Sequence, residues 1–357
     1  MSISAGAGGR GYIGTMTAMP KYDDESFLDF VEGFRLWALQ KLNPIASRAL
    51  ESALPSQGIR DEKDLEITNL QRVADPIPVI AIRNRILSST QGMNWNRILD
   101  SYSTKREELL GELTGCEADG PGTLKWDPSF HYPRYYTVVE YHRQPGGYHH
   151  DDLGGHVYHY GTKVFHGGNN DRDEAKEARI WELPLPADGI VNNFLDLACS
   201  IGAGTVTAKR RWPTATVIGI DAAGPLLRYA HMRASKLNAE VQFIQALAED
   251  LPFDDDTFDL IYMSTLLHEL PVDVGHDAIT EAHRVLREGG VLVIHDMMQA
   301  DRPVDPWADY DRHFDSAFNN EPYAYKFVHS DLDSFLSSRF ANVKRTLGRL
   351  TTWVCTK

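Results

Sequence analysis

The stretch NNFLDLACSIGAGTVTAKRRW, residues 192–212, constrains the fold more than any other part of the chain. An apolar run of strand length ends at Asp196, a loop of small residues with Gly202 and Gly204 follows, and a basic segment comes next. That order predicts a strand, a tight loop and a helix. The pattern then repeats. FLDLA, TVIGIDA, VQFIQA, FDLIYMST and GGVLVIHDM read as strands, and GTVTAKRRW, PLLRYAHMRASKL and HDAITEAHRVLR as helices. Strand–helix alternation implies a parallel sheet with helices on both faces. DLDSFLSSRF reads as a further helix, and ANVKRTLGRL with TTWVCTK as an antiparallel hairpin that closes the sheet edge. The Gly289–Gly290 pair marks a turn before the fifth strand.

Strand–loop–helix units of this kind usually seat phosphates, but this loop is built differently. A P-loop needs G-x-x-x-x-G-K-[ST], and no lysine follows Gly202 or Gly204 in that register. A dinucleotide fingerprint needs G-x-G-x-x-G, and here Thr207 stands at the third glycine. Asp196 would repel a pyrophosphate across a pocket of reduced dielectric. A ligand with a positive end and no phosphate reverses the argument. The carboxylate then attracts, and the small Ala198, Ser200 and Gly202 let the ligand approach the backbone. A second acid, Asp221, ends the next strand 25 residues on. That is near the ~20-residue spacing at which nucleotide-binding βαβ units place a ribose-binding acid.

Four segments in this order, FLDLACSIGAGT, VIGIDAAGPLLRYA, ALAEDLPFDDDTFDLIYMSTLLHEL and EAHRVLREGGVLVIHDM, cover 194–298. The chain resembles class I S-adenosylmethionine-dependent methyltransferases, in the type 11 branch that includes ubiquinone and menaquinone C-methyltransferases. The resemblance implies a Rossmann-like methyltransferase sheet and S-adenosyl-L-methionine as cofactor. It also implies that Asp196, Ala198, Cys199, Ser200 and Gly202 wrap the methionine part. Asp221 with Ala222 would hold the ribose, and Leu247, Ala248 and Glu249 would line the adenine; Ser264 joins these as a cofactor contact. The sequence departs from the family pattern at Ala198 and Ser200, where glycine is usual, and at Leu247, where an aspartate is often found for the adenine amine. The expected activity is methyl transfer to an O, N, S or C nucleophile of a small molecule by in-line displacement. Two other classes stay open: a cyclase- or decarboxylase-type enzyme on this fold, and a protein-modifying or regulatory partner.

Residues 1–190 lie outside the resemblance. At 357 residues the chain exceeds one ordinary domain. Residues 1–23, Gly-rich and broken by Pro20, read as a flexible tail without the apolar core of a signal peptide. Residues 24–122 read as a helical module. Phe27, Phe30, Val31, Phe34 and Trp37 recur at helical spacing, Pro44 interrupts the run, and Gly115 and Gly120 to Gly122 mark the break. This apolar stripe needs a partner, either the next domain or a second copy in a homodimer.

Residues 123–191, rich in Tyr, His and Gly, read as a short strand, loops and one short helix around 171–181, placed to cover the ligand edge before the catalytic domain at 192–357. Within this cover His156, Tyr158, His159 and Tyr160 are the expected contacts, since an aromatic face attracts a sulfonium. The cluster from His142 to His166 reads as a metal site, a substrate pocket or a histidine-rich surface loop. Histidine spacings without cysteine specify no metal, and none is assigned. His268, after the fourth strand, is a candidate general base, as are His149 and His150; the other reading of His268 is that it shapes a turn. The acidic, aromatic 300–327 segment is a candidate lid, dimer contact or packed arm.

The formal charge of −14 argues against nucleic acid as acceptor. Three scattered cysteines without a C-x-x-C, and no long apolar run, lead to the expectation of a reduced cytoplasmic protein away from membranes.

Overall fold

The structure, a computed structural model, describes residues 16–59, 65–166, 168–297, 299, 305–348 and 350–357. Four helices open the described chain: α1 (Tyr22–Ala53), α2 (Ile67–Ala74), α3 (Pro78–Ser103) and α4 (Arg106–Glu117). Strand β1 (Thr123–Lys125) and the short helices α5 (Arg134–Thr137), α6 (Gly154–Gly161), α7 (Lys163–His166) and α8 (Glu174–Trp181) follow. The alternating part runs β2 (Asn193–Leu197), α9 (Ala203–Arg211), β3 (Thr216–Asp221), α10 (Gly224–Lys236), β4 (Gln242–Gln245), β5 (Phe258–Ser264), α11 (Val272–Val285) and β6 (Leu286–Asp296). Then come α12 (Pro306–Phe318), α13 (Ala324–Val328), α14 (Leu332–Ser337), β7 (Asn342–Thr346) and β8 (Thr351–Thr356).

The strands form one eight-stranded sheet in the order β1-β4-β3-β2-β5-β6-β8-β7. All neighbours from β1 to β6 are parallel, and β8 and β7 close the edge antiparallel. This is the expected α/β Rossmann-like sheet with its edge hairpin. Both faces are covered, so the central strands are apolar throughout; every residue of β5 is buried. Alternation along β2 sends Phe194 into a core with Val206 and Leu227 on one face, and Leu195 and Leu197 into a core with Ile279 and Leu336 on the other. Strand order reverses at β2/β5, which puts the ligand crevice over the carboxyl ends of β2, β3, β5 and β6.

The structure corrects several expectations in the N-terminal half. Met16 and Met19 are buried against Trp95 and Tyr102, so the expected tail is packed at these residues, Tyr22 and Asp23 already open α1, and residues 1–15 lie outside the described part. Helix α1 runs through Pro44, since burial of Ala46 and Leu50 beyond it offsets one lost backbone bond. Its buried face carries Leu28, Val31, Ala38, Ala46 and Leu50, whereas Phe30, Phe34 and Trp37 stack on the exposed face. Helix α4 continues through Gly115.

Arg134–Thr137 form the single turn α5. The strand of this segment is β1, a three-residue edge too short to show periodicity, whose Thr123 N–H donates to the Val241 carbonyl. Helix α12 inserts Trp307 and Tyr310 beside Leu50 and Ile80, and Phe314 beside Ala38 and Leu87, so the 300–327 segment is a packed arm from Asp305 onward.

Helix α6 joins the halves. A Cβ at Gly161 would lie 1.7 Å from the Trp95 ring, and one at Gly155 2.2 Å from Tyr229. We predict that Gly161→Ala lowers unfolding free energy by about 1–3 kcal/mol through overpacking, read by urea denaturation; an unchanged midpoint would show that α3 and α6 do not pack this closely.

Candidate functional site

The loop after β2 bends sharply because three residues are left-handed: Ala198 (φ 63°), Ser200 (φ 53°) and Gly202 (φ 73°). A Cβ at Gly202 would meet the Phe243 ring at 2.7 Å, and one at Gly204 would meet Asp196 Oδ2 at 2.7 Å. Glycine at 204 therefore lets the first turn of α9 close on the carboxylate. Asp196 is buried at the end of β2 and accepts from the Thr205 hydroxyl at 2.8 Å. Burial pushes its pKa up, against Lys176 and the Thr205 donors. Asp221 Oδ2 accepts from the Ser200 N–H at 2.8 Å and Oδ1 from the Ala223 N–H at 2.9 Å. Burial raises its pKa to about 6 against these two bonds. The two acids thus lie at neighbouring strand ends, tied to one loop. Cys199 is buried in the core and its N–H donates to Ile220, which fits a packing role.

The other expected contacts gather nearby. The Ala222 carbonyl accepts from Gln245 Nε2 at 2.7 Å. Leu247 and Asp250 form an isolated bridge around Ala248, and the Glu249 carboxylate accepts from the Tyr135 hydroxyl. The Ser264 hydroxyl accepts from Lys176 Nζ at 2.9 Å.

Of the expected cover residues only Tyr158 faces this loop, with its hydroxyl at Ser200 and its ring edge-on to Tyr148. His156, His159 and Tyr160 turn away, because helical spacing puts them on the faces of α6 against α3 and α10. His156 packs between Tyr102 and Tyr229, and burial drops its pKa to about 3. His159 accepts from Tyr229 Oη at 2.9 Å and donates to the Asn170 carbonyl at 3.0 Å. Tyr160 belongs to the core of Trp95 and Tyr102. His149 packs on Tyr132 and Tyr136, and its pKa falls to about 4 through burial and His150. His150 is exposed. Among the described residues, no group of three or more His, Cys, Asp or Glu is arranged to hold a metal ion. Tyr132 and Tyr136 were not expected here; both raise their pKa through burial, with Asp221 adding.

His268 lies in a short turn after β5, buried, with Nδ1 donating to Asp296 Oδ1 at 2.6 Å. Asp296 ends β6 and also accepts from the N–H groups of Leu266, Leu267 and Met297. Burial opposes charge on His268, but Asp296 outweighs it and the pKa rises. Asp296 was missed, although the strand-end rule that found Asp221 points to it.

Beside this pair, His142 bridges Glu269 at 3.2 Å and Glu321 at 3.0 Å. Burial works against its charge, yet Glu321 and Glu269 push its pKa up to about 10. Such a group adds stability that is complete below its unfolded pKa of ~6.5 and lost as pH rises toward 10. Wild type should exceed His142→Gln by about 1–3 kcal/mol at pH 6, and the gap should close by about pH 10. Urea denaturation across that range reads it, and a gap that widens with pH would contradict the charged bridge.

The strand ends around this loop on the α/β sheet carry acids, Asp196, Asp221 and Asp296, rather than phosphate-binding groups. A methyltransferase-domain family matches residues 194–290. An uncharacterized methyltransferase of Synechocystis sp. is 34% identical over 174 residues, 47% of this chain and 76% of that protein. The ubiquinone/menaquinone biosynthesis C-methyltransferase UbiE of Agrobacterium fabrum is 33% identical over 178 residues, 46% of this chain and 65% of that protein. Just under two thirds of the Agrobacterium protein is therefore matched. An O-methyltransferase family protein from Burkholderia thailandensis shares 20% identity over 56% of this chain and 60% of its own, with a TM-score of 0.45. The chain belongs to the class I S-adenosylmethionine-dependent methyltransferases, and its cofactor is S-adenosylmethionine. Among the described residues no helix is long and apolar enough to cross a membrane.

Proposed function

We propose that the chain methylates a nucleophilic atom of a small molecule at the crevice over β2, β3, β5 and β6. The reading is carried by buried Asp196 and half-buried Asp221, carboxylates at adjacent strand ends beside one left-handed loop. A dinucleotide would meet repulsion there, whereas a ribose diol can donate to Asp221 and an ammonium to Asp196. The bound cofactor supplies an electrophilic methyl carbon on its sulfonium.

The chain's own residues align and shield. Ser200 and Ala223 hold Asp221 so that its remaining lone pairs face the crevice. Tyr158 and Tyr148 exclude water from the loop side. Asp296 fixes Nδ1–H of His268, leaving Nε2 to take a proton from an acceptor that must lose one. The segment 123–191 supplies cover through Tyr132, Tyr136, His149 and Tyr158. The exposed Phe30–Phe34–Trp37 ladder of α1 is the face a homodimer would use.

Cofactor affinity should fall as pH drops below about 6, because Asp221 then protonates and ceases to accept two hydroxyl bonds. Asp221→Asn should bind on the order of 10–100-fold more weakly at pH 7.5 and lose the acid limb. Calorimetry with S-adenosylhomocysteine measures both, and equal affinities for the two proteins would refute the ribose role.

With a methyl-labelled cofactor and a small-molecule panel, His268→Ala should keep cofactor affinity within about threefold while label transfer falls on the order of 10²–10⁴-fold. Undiminished transfer would remove His268 from the chemistry, and labelled protein partners with unlabelled small molecules would overturn the acceptor class.

A further inference from the structure

Lys176 projects from α8 into the crevice where no sequence motif points. Its Nζ donates to Ser264 Oγ at 2.9 Å and lies 5.7 Å from the centre of the Tyr262 ring. Among the described residues no carboxylate comes within 4 Å of it, although Asp196 and Asp296 both act on its charge from the ends of β2 and β6. Arg179, one turn further along α8, adds a second positive charge to the same neighbourhood. Burial and Arg179 together lower the Lys176 pKa to about 8, against the pull of Asp196, Cys199 and Asp296. A desolvated ammonium bonded only to a neutral hydroxyl is an unfinished site: burial of a cation is normally matched by an anion.

Helix α8 is held firmly enough for this placement to matter. Asp173 precedes it in a left-handed conformation, and both its carboxylate oxygens accept from buried Arg233, at 2.6 and 2.7 Å. The same guanidinium donates to the Ile201 carbonyl at 2.7 Å, inside the loop after β2. At the other end, Arg211 of α9 donates to the Ile180 and Leu183 carbonyls. One buried arginine thus fixes the distance between the cofactor loop and the helix that carries Lys176.

S-adenosylmethionine carries a single anionic group, the carboxylate of its amino-acid end, beside an ammonium. A zwitterion of that kind is matched by a fixed negative and a fixed positive charge at one end of a pocket. We propose that Lys176 is the partner of the cofactor's carboxylate, and that Asp196 and Lys176 form a paired receptor for its amino-acid zwitterion. The proposal rests on the assignment of this crevice to the cofactor. Lys176 acts here as a binding and specificity residue: it distinguishes nucleosides that bear a carboxylate from those that lack one.

The test compares S-adenosylhomocysteine with its decarboxylated analogue, by calorimetry on the full chain. Wild type should prefer the carboxylate-bearing ligand on the order of 10–100-fold. Lys176→Met should lose that factor for S-adenosylhomocysteine, hold its affinity for the analogue, and so bind the two alike; Lys176→Arg should restore most of the preference. Equal weakening toward both ligands, or an undiminished preference in Lys176→Met, would overturn the proposal.

A second reading does not depend on the variant's affinity. Near pH 8, binding to wild type should take up protons as Lys176 gains its counter-ion, seen as a binding enthalpy that varies with buffer ionisation. Lys176→Arg should show no uptake, because arginine stays charged. Absence of uptake in wild type counts against Lys176 alone. Failure of wild type to bind either ligand would instead strike the cofactor assignment, and the proposal with it.

Discussion

The bond from the Ser200 N–H to Asp221 Oδ2 ties the end of β3 to the loop that leaves β2, and the rest of the site depends on it. A carboxylate half out of water needs donors, and the loop supplies them only if its backbone turns inward. That requirement forces positive φ at Ala198 and Ser200, where a Cβ costs about 1–2 kcal/mol each. The strain is retained because the same turn brings Gly204 against Asp196 and aims the first turn of α9 at it. Two acids that would repel in isolation are thus held by separate donors on one rigid element. On the proposed function, a ligand with positive charge and a diol would meet a surface already organised for it.

The catalytic sheet was legible because burial on both faces makes its strands apolar runs, and because strand ends in such sheets carry the chemistry. Asp196 and Asp221 stand at such strand ends, and Asp296 yields to the same reasoning. What stayed hidden was set by tertiary contact. The three residues of β1 gain their extended state from β4, with no periodicity of their own. The phase of α1 misled because its aromatics, Phe30, Phe34 and Trp37, stack on the outside while smaller Ala38 and Ala46 make the close contacts. Lys176 carries no local signal at all, since its meaning comes from strands far along the chain.

The histidines show how little residue type says before burial is known. His156 and His159 are neutral struts between helices, held so by desolvation. His142 is a cation because two carboxylates from distant segments converge on it. His268 is an oriented imidazole, with one nitrogen committed to Asp296. One sequence cluster therefore divides into structural and electrostatic roles, and the oriented imidazole of the crevice comes from outside that cluster.

These assignments also explain the size of the N-terminal half. The carbonyl of His142 accepts from Trp95 and Gln91 of α3, while its ring reaches Glu269 after β5 and Glu321 after α12. A shift of α3 strains the bonds to the His142 carbonyl, and a shift of α12 strains the His142–Glu321 pair; both bear on the residue that also pairs with Glu269, next to His268. A sheet that binds its cofactor through loops alone leaves the acceptor side open to water. Here α3 and the chain after α12 converge on His142, whose partner Glu269 adjoins His268, so on the proposed function the cover of the acceptor side is tied to the turn that carries His268.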